Sequence, residues 1–135
     1  MLSRVWSTYS ILGVLASSLA GCHVSVNDGH GSYEATITVE WSVDGSQRAS
    51  ACADYDVDYA HITIDNPHGF FYEVDVPCED FGIDIDLPAD RYQISVQLFD
   101  SGDHRLTEEA LTDELNLFEG DVENVLLDFP DRSFI

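Results

Sequence analysis

The sequence predicts an all-β protein, a single antiparallel β-sandwich of about seven short strands. Residues 33–43 alternate strictly between apolar and polar side chains, which is the period of a strand with one buried and one solvated face. Further stretches with the same period follow at intervals of roughly 8–12 residues and are separated by glycine and proline turns. Because no long amphipathic helix pattern lies between them, a sandwich is favoured over an α/β fold.

The first half of the domain contains one strand, one irregular connection and one hairpin. Residues 46–57 break the alternation that ends at residue 43, and we expect a short helical turn there, capped by Ser46. Residues 59–65 and 70–76 then alternate on either side of the turn Asn66-Pro67-His68-Gly69, which predicts a hairpin.

The second half continues the same pattern with one ambiguous stretch. We predict strands at 81–87, 92–98, 115–117 and 125–129. Residues 105–112 have a mixed pattern that fits either a helix face or a bulged strand.

The N-terminal segment has the features of a secretory leader. Arg4 is followed by a mostly apolar run from Val5 to Leu19, too short and too interrupted by serines for a membrane span. The residues Leu19-Ala20-Gly21-Cys22 resemble the lipobox of bacterial lipoproteins, which implies that the Cys22 thiol receives a diacylglyceryl group and that the leader is cut in front of it. His23 is not the aspartate that retains some lipoproteins at the inner membrane, so the resemblance implies the outer membrane, facing the periplasm or the cell surface.

This interpretation divides the chain into four parts. Residues 1–21 are a lipoprotein signal peptide, 22–32 a flexible tether, 33–130 the β-sandwich domain and 131–135 a tail that we expect to fray.

The net charge limits the classes of partner. The chain has 26 acidic and 5 basic residues, a formal net charge of −21 at pH 7. Such a surface repels nucleic acid, so we predict no nucleic-acid partner. Two explanations stay open, an acidic surface that binds cations or a basic partner, and an adaptation to a salty habitat where ions screen self-repulsion.

The cysteines predict one disulfide. The chain has three, and if Cys22 is lipidated, Cys52 and Cys78 are left as a pair in an oxidising compartment. Neither has the spacing of a metal-binding motif, so a disulfide is the default.

The second half of the chain resembles a known domain family. Leu87-Pro88-Ala89-Asp90-Arg91-Tyr92 and the alternating run that follows resemble the "LP-x-G-x-Y" strand of carboxypeptidase-regulatory-like, or transthyretin-like, domains, with Asp90 where the family usually has glycine. Phe118-Glu119-Gly120-Asp121, leading into the last strand, looks like that family's final hairpin. The resemblance implies a seven-stranded Ig-like sandwich that is usually non-catalytic. The chain is also similar to uncharacterised acidic lipoproteins of delta-proteobacterial type.

Alternating aspartates suggest a calcium site, which we weigh against a simpler explanation. Asp54, Asp56 and Asp58 have the spacing that opens an EF-hand loop, but Tyr59 stands where that loop needs glycine. A looser calcium site that includes Asp84 and Asp86 is one alternative. The other is a solvated acidic edge that discourages edge-to-edge strand pairing.

The sequence offers one candidate contact residue and no catalytic signature. No G-x-S-x-G, H-E-x-x-H or phosphate-loop motif is present, so we predict that the protein is not an enzyme. Phe71 lies on the outward phase of its strand and is a candidate contact for a sugar or a protein.

Together these features predict a lipid-anchored protein of the cell envelope that acts as a non-catalytic structural or protein-interaction module. A calcium- or carbohydrate-binding module is the alternative, and an accessory subunit of an envelope enzyme is a further one. Each version has the membrane as a partner through the lipid, and an envelope protein or glycan as the other.

Overall fold

A computed structural model describes residues 23–25 and 34–135 of the chain. The predicted leader, Cys22 and most of the predicted tether lie outside the described residues. The strands are β1 (His23–Ser25), β2 (Glu34–Val43), β3 (Tyr59–Asp65), β4 (Phe71–Pro77), β5 (Gly82–Pro88), β6 (Arg91–Phe99), β7 (Ala110–Leu111), β8 (Leu115–Asn116) and β9 (Val122–Phe129). One α-helix, α1 (Ala49–Asp54), lies between β2 and β3, and no helix among the described residues is long and apolar enough to cross a membrane.

The strands form two packed sheets, which confirms the predicted all-β sandwich. The first sheet has the order β1-β5-β2-β9, and the second has the order β4-β3-β6-β7 with β8 also pairing with β6. Most pairs are antiparallel, but β2 pairs in parallel with β9, as β1 does with β5. Alternation within a strand does not specify the direction of its neighbour, so the parallel pairs could not be predicted from the sequence.

The inward phases of the strands build the core. Trp41 and Tyr92, at inward positions of β2 and β6, are both fully buried. The Trp41 indole N–H donates to the Cys78 carbonyl at 3.2 Å, and the Tyr92 hydroxyl donates to the Pro88 carbonyl at 2.6 Å. Each aromatic side chain therefore fills apolar volume and satisfies its polar atom in the core.

The predicted hairpin is confirmed as β3 and β4. Asp65 pairs with Phe71 at its tip, and Asn66 closes the turn because its side-chain oxygen accepts the backbone N–H of His68 and of Phe70, at 3.0 and 2.9 Å.

The irregular connection after β2 is fixed by a disulfide. Cys52 on α1 is bonded to Cys78, which begins a 3₁₀ turn after β4, and both cysteines are buried. The predicted pair is thus present. The expected cap is different: Arg48 is the N-cap of α1, without a side-chain hydrogen bond, and Ser46 lies two residues before it. The Ser46 hydroxyl accepts the Arg48 backbone N–H at 3.2 Å instead of an N–H of the helix.

The segment with the mixed pattern and the C-terminal tail both pack onto the sandwich. Residues 105–112 form an extended segment that ends in the short strand β7, and the Thr107 hydroxyl accepts the Leu98 N–H there at 3.1 Å. In the tail, the Ile135 N–H donates to the Leu106 carbonyl at 2.9 Å, and the Phe134 ring lies 4.4 Å from that of Tyr55. The tail therefore packs back onto the sandwich rather than fraying.

Candidate functional site

The outer face of the second sheet contains a groove of about 390 Å³, which we call the outer groove. It exists because alternate side chains of each strand point away from the core, and the strand register then brings them level. Phe71, Asp65 and Gln93 are level with one another, as are Thr63, Ser95 and Leu111. The residues that line it are Thr63, Asp65, Phe71, Gln93, Ser95, Glu109 and Leu111.

Two exposed apolar side chains flank this groove. Phe71 on β4 is 63% exposed, and Leu111 on β7 is 56% exposed. Because β3 and β6 lie between those two strands, their backbones are roughly 14 Å apart at the usual spacing of strands. The groove is therefore a trough with apolar sides and a floor two strands wide.

The floor of the outer groove is polar. The hydroxyl groups of Thr63 and Ser95 are hydrogen-bonded to each other, and the Gln93 side-chain amide donates to the Thr112 carbonyl at 3.3 Å. Each of these groups still has further donor or acceptor capacity, since a hydroxyl or amide can make more than one hydrogen bond.

The same two strands extend the floor toward the other end of the sheet. His61 and Gln97 follow on β3 and β6, and then the rings of Tyr59 and Phe99 stack with centroids 5.3 Å apart. Partial burial, together with the hydrogen bond to Asp103, raises the pKa of Tyr59 to about 12, so its hydroxyl is neutral at physiological pH. This strip of β3 and β6 ends in a stacked pair of aromatic rings.

Two loops at opposite ends of the sandwich are held by aspartates with lowered pKa values. At the first, the backbone N–H of His104 lowers the pKa of Asp100, and the N–H of Gly102 adds to it, both at 2.9 Å. At the second, burial raises the pKa of Asp90, but hydrogen bonds from the Arg91 N–H and the His68 ring outweigh it and leave the pKa below its usual value. Asp90, where the resembling family has glycine, thereby ties the β5–β6 turn to the tip of the β3–β4 hairpin.

The structure brings together two of the three predicted calcium ligands, since Asp56 and Asp58 line one pocket with Asp100, whereas Asp54 does not line it. Asp54 ends α1, Asp56 turns the chain with φ 57°, and Asp58 precedes β3, so the three occupy different backbone conformations instead of one ligand loop. Asp84 and Asp86 lie on the first sheet, where they accept hydrogen bonds from the hydroxyl groups of Thr38 and Thr36. Within residues 23–25 and 34–135, no group of three or more histidine, cysteine or acidic side chains is placed to hold a metal ion.

The remaining predicted site residues divide between those the structure describes and those it does not. Phe71 is exposed on the outward phase, where the sequence placed it, and Cys52 and Cys78 are bonded. Cys22 lies outside the described residues. The other residues of the outer groove were missed, because finding them requires the pairing of β3 with β6 and of β6 with β7.

Comparisons with known proteins do not place the chain in a family. No protein-family model matches the chain, and no curated protein matches it. A solved structure of a DUF1812 protein from Bacteroides thetaiotaomicron, named for polysaccharide binding, is similar with a TM-score of 0.46 and 10% identity, over 70% of this chain and 46% of that one. A DUF4876 family protein from the same organism is similar with a TM-score of 0.41 and 14% identity, over 70% of this chain and 23% of that one. The chain spans less than half the length of either protein, and the likeness transfers no function.

Proposed function

We propose that the protein is an exported lipoprotein, anchored to the outer membrane through Cys22, whose sandwich is a non-catalytic binding module of the cell envelope. The observation that carries the anchor is the bond between Cys52 and Cys78. It uses both cysteines of the sandwich and leaves Cys22 as the third cysteine of the chain. An unpaired cysteine in an exported protein suggests a further modification of its thiol. The lipobox around Cys22 indicates that this modification is lipidation.

The anchor has to hold a strongly acidic domain at a membrane. Each buried methylene of an acyl chain contributes about 0.8 kcal/mol, so two or more chains on one cysteine hold the protein durably without help from its charge. His23 after the cysteine supports the outer membrane as the destination.

The outer groove supports a binding role for the sandwich and not a catalytic one. Its polar groups are hydroxyls and an amide on a rigid sheet, flanked by Phe71 and Leu111. The Ser95 hydroxyl shares a hydrogen bond with the Thr63 hydroxyl, which is not a general base and does not activate it as a nucleophile. In this proposal the groove is the contact surface toward a protein or glycan of the envelope, including a partner that is itself an enzyme.

Metabolic labelling with a fatty-acid analogue in a bacterial host tests the anchor. We expect label on the wild-type protein, loss of label in Cys22→Ser, and retention in Cys52→Ser, the matched control. Mass spectrometry of the mature N-terminus should find a diacylated residue 22. An intact Met1, or an unmodified Cys22, would refute the anchor.

A further inference from the structure

We propose that the outer groove binds a neutral polysaccharide, whose chain lies along β3 and β6 between Phe71 and Leu111. This inference rests on the proposed role of the groove as the contact surface and names the chemical class of its ligand. It does not depend on the lipid anchor.

The distribution of charge favours a neutral ligand. The chain carries 26 acidic residues, yet Asp65 is the one carboxylate among the outward side chains of β3 and β6. Arg91 is the one arginine among them, and it lies at the β8 end of β6, 3.5 Å from Glu114. The other outward side chains are Tyr59, His61, Thr63, Gln93, Ser95, Gln97 and Phe99. The central strands of the first sheet differ, since their outer face carries Glu34, Glu40, Asp84 and Asp86. The floor of the groove is therefore a nearly uncharged strip on a strongly acidic protein.

The chemistry of this strip suits sugar hydroxyl groups. A side-chain amide or hydroxyl donates and accepts, as a sugar hydroxyl does, so the two surfaces can form cooperative hydrogen bonds. The carboxylate of Asp65 can accept two sugar hydroxyls at the Phe71 end of the groove. An anionic polysaccharide is disfavoured because the protein has a net charge of −21.

The apolar groups lie where a sugar ring needs them. One face of a pyranose ring is lined by C–H bonds and packs against an aromatic or aliphatic side chain. Phe71 and Leu111 offer such surfaces at the two sides of the groove, and the stacked rings of Tyr59 and Phe99 offer another further along the same strands. From Asp65 to Tyr59 the strip is about 20 Å long at the usual rise per residue, so it matches a chain of several sugars rather than a single one.

A basic peptide is the competing occupant, and the floor disfavours it. Cationic side chains need carboxylates in the groove, but those that line it are at its margins: Asp65 at one end and Glu109 beside β7. Glu73 on β4, level with Thr63, lies 3.5 Å from the ring of His61. Asp75 on β4 is already bonded to the ring of His61 at 2.5 Å. The acidic margin thus repels anions without providing a row of partners for lysine or arginine.

Affinity electrophoresis of the full exported protein in detergent tests the proposal. The gels contain one neutral polysaccharide each (a β-glucan, a mannan or a xylan), with alginate as the anionic comparison. We expect retardation by at least one neutral polysaccharide, little change with ionic strength, and none by alginate.

Two matched pairs of variants locate the binding. Phe71→Ala should weaken polysaccharide binding about tenfold, as expected for an aromatic anchor. Phe118 is 69% exposed and lies outside the groove, so Phe118→Ala should leave binding unchanged. Leu111→Ala should also weaken it, in contrast to Leu126→Ala, which is 60% exposed on the other sheet. Circular dichroism and thermal melting of all four variants establish that each remains folded.

The outcomes separate this proposal from the proposed function. Two results would overturn the proposal that a neutral polysaccharide binds in the outer groove. One is the absence of retardation by every neutral polysaccharide, and the other is equal retardation of the Phe71 and Phe118 variants. Salt-sensitive binding of polylysine that depends on Phe71 would also overturn it, while the groove would still be the contact surface. Absence of fatty-acid label from the wild-type protein would refute the anchor and leave the glycan proposal standing.

Discussion

At the residue scale, Tyr92 shows how one side chain joins burial to a backbone constraint. Its ring is 1% exposed and meets Phe70 edge-on at 5.4 Å, while its hydroxyl reaches the Pro88 carbonyl four residues earlier. The bond fixes the β5–β6 turn to the start of β6. The Leu-Pro-x-x-x-Tyr pattern in the sequence therefore has a physical basis: the tyrosine closes the turn that the proline begins.

Tyr92→Phe removes this hydrogen bond and preserves the packing. We expect the free energy of unfolding to fall by about 1 kcal/mol, because the Pro88 carbonyl loses a partly buried hydrogen bond. Urea denaturation measures it, with Tyr55→Phe as the control. The Tyr55 hydroxyl bonds to Asp131 at the solvent-exposed surface, so its loss should cost less. Equal costs would contradict the role assigned to Tyr92.

Asp100 gives the loop after β6 a dependence on pH. Since its pKa is lowered in the folded state, ionised Asp100 stabilises the fold above the pKa it has when unfolded, and this contribution is lost as pH falls through its folded pKa. Asp100→Asn should therefore destabilise the protein near neutral pH, with a difference from wild type that disappears on acidification. Urea midpoints across pH measure this, with Asp113→Asn as the exposed control; a difference independent of pH would contradict it.

At the element scale, the disulfide holds the connection that the strand pattern leaves undefined. Cys52 and Cys78 are 26 residues apart, and their bond joins α1 to the 3₁₀ turn that leads into β5. Without the bond, the unfolded chain gains freedom over this whole loop. Reduction should therefore lower stability by about 3 kcal/mol, most of it through the unfolded state.

Thermal melting with and without reductant measures this effect. The double variant Cys52→Ala/Cys78→Ala should melt below wild type and be insensitive to reductant. Cys22→Ser, which keeps the bond, is the control. Equal melting of reduced and oxidised protein would show that the bond does not stabilise the fold.

The same scale shows what sequence could and could not predict. Alternation identified β2 and the β3–β4 hairpin because each strand has one buried face, and it placed Phe71 outward. Leu111 could not be found in the same way, because its segment has no regular alternation of apolar and polar residues. The exposure of Leu111 is set by the pairing of β7 with β6. The outer groove is thus a product of strand order, which local patterns do not encode.

At the scale of the whole molecule, the large net negative charge opposes folding. The chain has a net charge of −21, and folding brings its carboxylates closer together than they are in the unfolded chain. Their mutual repulsion is therefore larger in the folded state. Salt screens this repulsion over a Debye length of about 10 Å at 0.1 M. The folded state should therefore gain stability as salt is added.

Thermal melting in increasing NaCl and KCl measures this gain. The two salts should raise the melting temperature alike, because screening depends on ionic strength. A flat response would argue against adaptation to a salty habitat. A much larger shift in CaCl₂ at matched ionic strength would instead indicate a specific site for a divalent cation.

The position of β1 has a mechanical consequence for an anchored protein. β1 begins at His23, immediately after Cys22, and runs parallel to β5 with three residue pairs in register. The chain enters β1 at its N-terminal end, so tension from an anchor at Cys22 pulls along the strand. The β1–β5 hydrogen bonds are then loaded together, in shear. A pull across the strands would instead break them one at a time. When a ligand held at the opposite sheet is pulled, the β1–β5 hydrogen bonds would then bear the load first. The pairing of β2 with β9 would be protected from that force.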